Sequence, residues 1–442
     1  MIFRDPSPVA GQSGGDSAVD RAVFKAGRRL LPFVFLLYVI AFLDRVNIGY
    51  VKQSFLSDTG LSEQAFAMGA GIFFVGYALL EIPSNLMMFR IGARVWIGRI
   101  MITWGLVAAA MMFAWTSTSF YTLRFLLGVM EAGFFPGIIL YLACWFPAKN
   151  RGAMMGLFYF GAPCAQIFGG PFSGLLLDME GVGGLKGWQW VFLAEGLIAV
   201  AVGIWTFWRL TNRPSEASWL LEKERSELQA AMDAEDREKR RGDSKGAFAL
   251  LGQWRVWQLG IIYGLIQISV YGVTFYLPSQ VAGLMAMKAG IAVGFVSAIP
   301  WVCALLAAYV MPRLAARPSR TAIVASLSLA LAAAGIYIAS TSNPIVGLAA
   351  LCVAAAGFIG VQPVFWTFPM GEFAGAQAAC GIALINSMGS IGGGLASNFR
   401  VAAVREWGSP SAGSTALAVV TLLAAVLIFF AARRPRVAPA RV

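Results

Sequence analysis

Residues 30–50 read LLPFVFLLYVIAFLDRVNIGY. The first half of this run is hydrocarbon, yet Asp44 and Arg45 stand inside it. About 20 apolar residues are enough to cross a bilayer as one helix. Runs of that length recur from Leu30 to the C-terminus, and the composition agrees: of 442 residues 58% are hydrophobic and 13% charged, where a soluble domain carries about 25% charge. The fold class is therefore an all-α membrane protein. A transmembrane β-barrel would show alternating segments of about ten residues, and none is visible.

Outward from that first run, twelve spans are expected, near 30–50, 65–88, 97–115, 119–143, 152–176, 188–208, 255–277, 288–311, 321–340, 345–370, 375–402 and 413–432. The stretch RPSEASWLLEKERSELQAAMDAEDREKRRGDSKG, residues 213–246, is charged and helix-prone and breaks the series in the middle. The organisation read from this is a segment 1–29, a six-helix bundle 30–208, a connector 209–254, a second six-helix bundle 255–432 and a tail 433–442. Basic residues gather at the even-numbered junctions: Arg90, Arg94 and Arg99, Lys149 and Arg151, then Arg313, Arg317 and Arg320, with Arg433, Arg434 and Arg436 in the tail. Arg400 and Arg405 are the exception. Basic loops mark the cytoplasmic side, so both termini and the connector are expected there, in a cell inner (plasma) membrane.

Several function classes recede. Net charge is +12 and there is no histidine, which removes the usual general base and commonest metal ligand. In a membrane chain the basic excess belongs to loops, so no nucleic-acid partner is expected. Cys144, Cys164, Cys303, Cys352 and Cys380 sit in apolar segments without metal or disulfide spacing. No G-x-x-x-x-G-K-[ST] loop exists for ATP. No cofactor is expected, and a monomer is the expected unit. Residues 1–29 are mostly polar, and the run from Leu30 lacks a small-residue cleavage site, so it reads as span one rather than a signal peptide.

The chain also repeats itself. MFRIGAR (88–94) follows span two and MPRLAAR (311–317) follows span eight, both M-x-R-x-x-A-R. With the six-connector-six split, this argues for two related halves. Here the sequence resembles the major facilitator superfamily. More narrowly, FLDRVNIG (42–49), EIPSN (81–85), RFLLGVMEAGFFPG (124–137), WFP (145–147), WQWVFLAEG (188–196) and RPSEASWL (213–220) resemble its anion:cation symporter family. That family carries organic anions such as sugar acids, tartrate and phthalate-type aromatic acids. One departure is visible: the superfamily loop has an Asp where this chain has Phe89 and Pro312.

An ionisable side chain at the bilayer centre costs roughly 2.5–3.5 kcal/mol on insertion scales, so such groups face a cavity or a partner. The deep candidates are Asp44, Arg45, Glu81, Arg124, Glu131 and Glu372. Arg124 and Glu131 lie on one helix face about 10 Å apart along the axis, too far to bond each other. AGFFPG (132–137) then interrupts the helix. Asp44 and Arg45 point about 100° apart; Asp44 is expected to meet Arg124 while Arg45 turns to a cavity, or the reverse. The bland alternative is a structural pair holding span one against span four. Glu81, beside Pro83, reads as an interfacial or packing acid, and Glu372 as a turn residue.

Two arginines offer a forked anion site, and buried carboxyls offer proton sites. The resemblance carries binding roles onto Arg45 and Arg124 and coupling roles onto Asp44 and Glu131. It further implies that Tyr77, Gln166, Trp366 and Asn386 face substrate; each could also be a packing residue, as could Tyr271 and Tyr276. The second half has no deep acid like Asp44, which places coupling in the first. The expected activity is import of a small organic carboxylate with protons by alternating access. The alternative is a proton-coupled exporter of drugs or metabolites on the same fold. A membrane enzyme is disfavoured by the lack of any nucleophile–base motif.

Overall fold

The structure, a computed structural model, describes residues 18–242, 252–315, 317–372 and 375–433. The rest of the expected N-terminal segment, connector and tail lies outside these residues. So do the side chains of Phe89, Lys149, Arg151, Glu372, Cys380 and the tail arginines.

Every regular element among the described residues is helical. In the first half these are α1 (Ala18–Thr59), α2 (Glu63–Ile91), α3 (Ala93–Ala110), α4 (Ser117–Glu131), α5 (Phe134–Trp145), α6 (Ala148–Tyr159), α7 (Gly161–Leu177) and α8 (Gly187–Arg209). The connector contributes α9 (Glu222–Gly242). In the second half come α10 (Trp254–Thr274), α11 (Leu277–Met285), α12 (Ile291–Leu314), α13 (Pro318–Thr341), α14 (Pro344–Glu372), α15 (Gly375–Trp407) and α16 (Ala412–Arg433). Ten stretches are long and apolar enough to span a bilayer. The remaining two spans are α7, shorter and broken by glycines and Pro171, and α15, lightened by Asn386, Asn398 and its glycines. The result is two bundles of six spans. One core of buried apolar side chains is drawn from α1–α9 with Tyr271, Phe275, Tyr276 and Ala396, and another wholly from α10–α16.

Span four is two helices, α4 and α5, as the AGFFPG stretch suggests. Gly133 sits at φ +86° between them, and a Cβ there would fall 2.3 Å from Ser84 Oγ. Both the positive φ and the close approach require glycine. The break ends α4 at Glu131, within the bundle.

α1 begins twelve residues before the expected span. Ala18, Ala22 and Ala26 continue its buried stripe at helical spacing, and Lys25 donates at 2.8 Å to both carboxylate oxygens of Glu224, which is 2% exposed. The described start of the connector is thus docked on the first bundle. Trp219 stacks on Trp145, centroids 5.5 Å apart, and Trp145 Nε1 donates to the Thr211 carbonyl at 3.1 Å. The WFP and RPSEASWL motifs therefore meet. The turn between α2 and α3 is clasped to the connector: Arg94 N–H donates to Asn212 Oδ1 at 2.9 Å.

The halves meet along α2–α15 and α7–α12. At the end remote from the connector the contact is backbone on backbone. A Cβ on Gly294 would lie 2.2 Å from the Gly170 carbonyl oxygen, and one on Gly71 2.6 Å from that of Gly394. Asp178 Oδ2 accepts the Ile291 N–H at 3.0 Å, and Asn398 donates to the Ala67 carbonyl at 3.2 Å.

Glu224→Ala should loosen α9 from α1. Limited trypsin digestion would then cut at Lys223, Arg225 and Arg237 several-fold faster than in the parent protein, with the spans still protected.

Candidate functional site

Close packing of α2 on α4 builds the site. Gly128 and Gly76 let the two backbones touch: a Cβ on Gly128 would fall 2.0 Å from the Phe73 carbonyl oxygen. That approach carries Arg124 against α2, where its Nε donates to the Gly69 carbonyl at 3.2 Å. Its guanidinium lies 4.9 Å from the Phe73 ring centroid, and Nη2 has no hydrogen-bond partner. The residue is 1% exposed.

Arg45 also lies by this ring, 5.5 Å from the Phe73 centroid and 5.2 Å from that of Tyr77. It forms an ion pair with Glu131 Oε1, and its Nη1 donates to the Tyr271 hydroxyl at 3.4 Å. Tyr271 belongs to α10, so Arg45 stands at the seam between halves. Its side chain keeps 14% exposure, against 0% for Glu131. Of the two arginines, Arg45 is the accessible one. Glu131 Oε2 is buried without a partner.

Asp44 turns into the first bundle, as the angle between neighbours in a helix requires. It is 2% exposed, and Oδ1 accepts from Asn47 Nδ2 at 3.4 Å while Oδ2 has no partner. Arg124 and Glu131 act on it electrostatically. Asp44 Oδ2 and Arg124 Nη2 are both buried without a hydrogen-bond partner. Arg45 is thus paired with Glu131, a partner neither of the two arrangements open in the sequence named for it.

Asp44, Arg45, Tyr77, Arg124 and Glu131 therefore form one contiguous group. Asn386 of α15 joins it through Glu81, which lies one turn beyond Tyr77 on α2, is 8% exposed, and has Asn386, Ser387 and Arg45 as neighbours. Of the two readings open in the sequence, interfacial or packing acid, Glu81 is thus the buried one, at the seam with α15. Trp366 stands apart, packed edge-on against Tyr263 at 4.9 Å in the second bundle. Gln166 is 1% exposed in α7, with Nε2 unpartnered. Neither makes a described contact with the charges.

Two groups absent from the expected set emerge. Phe73 is the wall shared by both guanidiniums, and its four-residue spacing from Tyr77 is the signal that could have found it. Glu195, 1% exposed in α8, accepts from Ser173 Oγ at 2.7 Å and Asn47 Nδ2 at 3.0 Å. It lies within the expected span 188–208, so the hydropathy argument that singled out Asp44 applies to it equally. Among the described residues, no group of three acids, cysteines or histidines is placed to hold a metal ion.

The sequence pattern of the Major Facilitator Superfamily matches residues 34–397. The chain belongs to the Major Facilitator Superfamily. It is a multi-pass membrane transporter and not an enzyme. The inner membrane transport protein RhmT of Escherichia coli (strain K12) is 46% identical, covering 93% of this chain and 95% of its own. A putative tartrate transporter of Agrobacterium vitis is 42% identical over 93% and 92% of the two chains. A quinolone resistance transporter of Acinetobacter baumannii is 36% identical over 91% and 92%. These relatives agree with the motifs in grouping the transporter with anion:cation symporter-type members. In fold it matches the inward-open xylose transporter XylE of E. coli, TM-score 0.71 at 15% identity, over 92% of this chain and 95% of that one.

A cation over an aromatic face contributes about 0.5–2 kcal/mol, and Phe73 serves two. Phe73→Leu, which keeps apolar bulk, should lower the melting temperature of the solubilised transporter and weaken binding of an organic anion. Phe73→Tyr should retain both. Paired thermal-shift and binding measurements check this.

Proposed function

We propose that the transporter imports a small organic carboxylate together with protons by alternating access. The observation that carries this reading is the Arg45–Glu131 pair: an accessible guanidinium at the seam, held by a buried carboxyl. An arginine fork matches a carboxylate with two parallel hydrogen bonds. In this arrangement Glu131 takes one nitrogen of that fork and the Tyr271 hydroxyl takes another. A proton on Glu131 neutralises it and releases Arg45 to an incoming anion, so binding of anion and proton become linked. Asp44 stands to Arg124 as a second carboxyl–guanidinium couple. Return of the proton on the connector side restores the Glu131–Arg45 pair and expels the anion.

Tyr77, Tyr271 and Asn386 supply a wall around Arg45 that can orient substrate. Gln166 and Trp366 belong to the more distant lining, reached by a larger acid or after the halves move. All the buried acids of the described spans lie in the first half, which supports coupling there. We further take the inner membrane as the location, with both termini and the connector cytoplasmic and the monomer as the working unit; the protein needs no cofactor for this activity. The substrate class, sugar acid or tartrate against an aromatic acid of phthalate type, is drawn from the arginine fork and the aromatic wall.

A second reading, proton-coupled export of drugs or metabolites, is favoured by the quinolone resistance relative. Two arginines in the site weigh against cationic lipophilic cargo. Uptake of a panel of labelled acids and one cationic drug into proteoliposomes, under pH gradients of either sign, separates the two.

Replacing the fork by a point charge removes one charge-assisted hydrogen bond of about 1.5–3 kcal/mol. Arg45→Lys should therefore raise the half-saturating carboxylate concentration roughly 10- to 100-fold, and unchanged saturation would sink the fork. Glu131→Gln should still exchange labelled for unlabelled carboxylate at equal pH, yet fail to accumulate it uphill on a pH gradient. Uphill accumulation in that variant removes Glu131 from coupling.

A further inference from the structure

Glu195 takes no part in the scheme above, although it is as buried as any acid in it. Four carboxyls share the centre of the first bundle and its seam with two guanidiniums. Glu131 pairs with Arg45, Glu81 has Arg45 as a neighbour, and Asp44 has Arg124 acting on it. Glu195 is different. The groups acting on it are Ser173, Asn47 and Asp44, two neutral donors and one like charge. Around it α1 presents Asp44, Asn47 and Tyr50, and α7 presents Ser173. The neighbouring stretch of α3, residues 100–110, has no titratable side chain. Arg124 and Glu131 of α4 reach the group only through Asp44. An uncompensated buried charge is strongly disfavoured.

The hydrogen bonds give a second and independent sign. One amide nitrogen, Asn47 Nδ2, serves two carboxyls, Glu195 at 3.0 Å and Asp44 at 3.4 Å. Asp44 Oδ2 and Asn47 Oδ1 are buried acceptors with no donor. The network is therefore short of hydrogens, and one additional proton supplies the missing donor. Tyr50 belongs both to the neighbours of this network and to the lining of a small cavity. Tyr50 is 5% exposed with its hydroxyl unpartnered, and it acts electrostatically with Glu195. It also lines a small cavity at the end of the seam remote from the connector, with Gln53, Leu177, Pro278, Ser279 and Gly290.

We propose that Glu195 is a further proton-binding group of the transport site, beyond Glu131 and Asp44, joined to Asp44 through Asn47 and reached past Tyr50. The step moves a proton and no electrons. Water in the seam cavity gives a proton to the Glu195 carboxylate, and after the halves turn the carboxyl returns it to water on the other side. Asp44 and Glu195 titrate as a pair because they share a donor. With Glu131 kept as the acid that frees Arg45, Glu195 adds a proton to each cycle.

This rests on the symport reading, and the experiment separates the two. The purified full-length transporter in proteoliposomes is given labelled tartrate, or the acid the panel selects, and protons per carboxylate are read from the pH gradient at which net flux reverses. Glu195→Gln should carry one proton fewer than the parent, and Glu195→Asp should keep the parent ratio. An unchanged ratio in Glu195→Gln, with slower flux at every pH, makes Glu195 a packing residue and overturns the proposal. Parent flux without proton movement sinks the symport reading itself, and this inference with it. Should Glu195→Gln fail to fold, Ser173→Ala decides. A moved pH of half-maximal uptake supports the proposal, and a uniform loss of rate overturns it.

Discussion

The ion pair between Arg45 and Glu131 is the constraint around which the bundle is arranged. Neither charge could stand alone in hydrocarbon, so α1 and the broken end of α4 must stay in contact. The break at Gly133 follows from this need. An unbroken α4 would leave its last carbonyls engaged and its glutamate committed to one continuous face. Ending α4 at Glu131 lets the acid sit at the end of a helix, inside the protein, beside the seam. The glycines that bring α2 onto α4 then supply the ring that both arginines share. Remove any one of these features and a charge is left without company.

Much of this was legible in the chain because the signals are local. Span positions follow from apolar run length, and the α4–α5 break follows from AGFFPG. The burial of Asp44, Arg45, Arg124 and Glu131 follows from the cost of charge in lipid. What could not be read was which acid holds which arginine. That depends on how α1 is rotated against α4, and Asp44 and Arg45, being neighbours, sample opposite answers. The company of Glu81 was not legible for a related reason: Asn386 and Ser387 come from the other half, some 305 positions away along the chain. Glu195 carried the same hydropathy signal as Asp44 but sat within an aromatic-rich motif. The connector reads as soluble by charge, yet Trp219, Leu220 and Leu228 are packed on the first bundle. Their apolar stripe is short and diluted by the charges around it.

The two arginines divide their work by depth. Arg124 is tied to a backbone carbonyl and sealed, which suits a fixed source of positive potential. Arg45 keeps some exposure and touches Tyr271 of the second half, so its surroundings must change whenever the halves move. A group whose partners are drawn from both bundles registers their relative position. One whose partners come from a single bundle does not.

The seam remote from the connector joins glycine to glycine, with main chain against main chain at Gly170–Gly294 and Gly71–Gly394. At these glycine pairs the halves slide on main chain alone, while nearby Phe74 and Tyr271 meet edge-on across the seam at 5.0 Å. Polar hooks add to that grip, Asp178 on Ile291 and Asn398 on Ala67. The latch of this carrier is therefore set in part by a handful of hydrogen bonds, so its hold can be tuned without rebuilding the hinge.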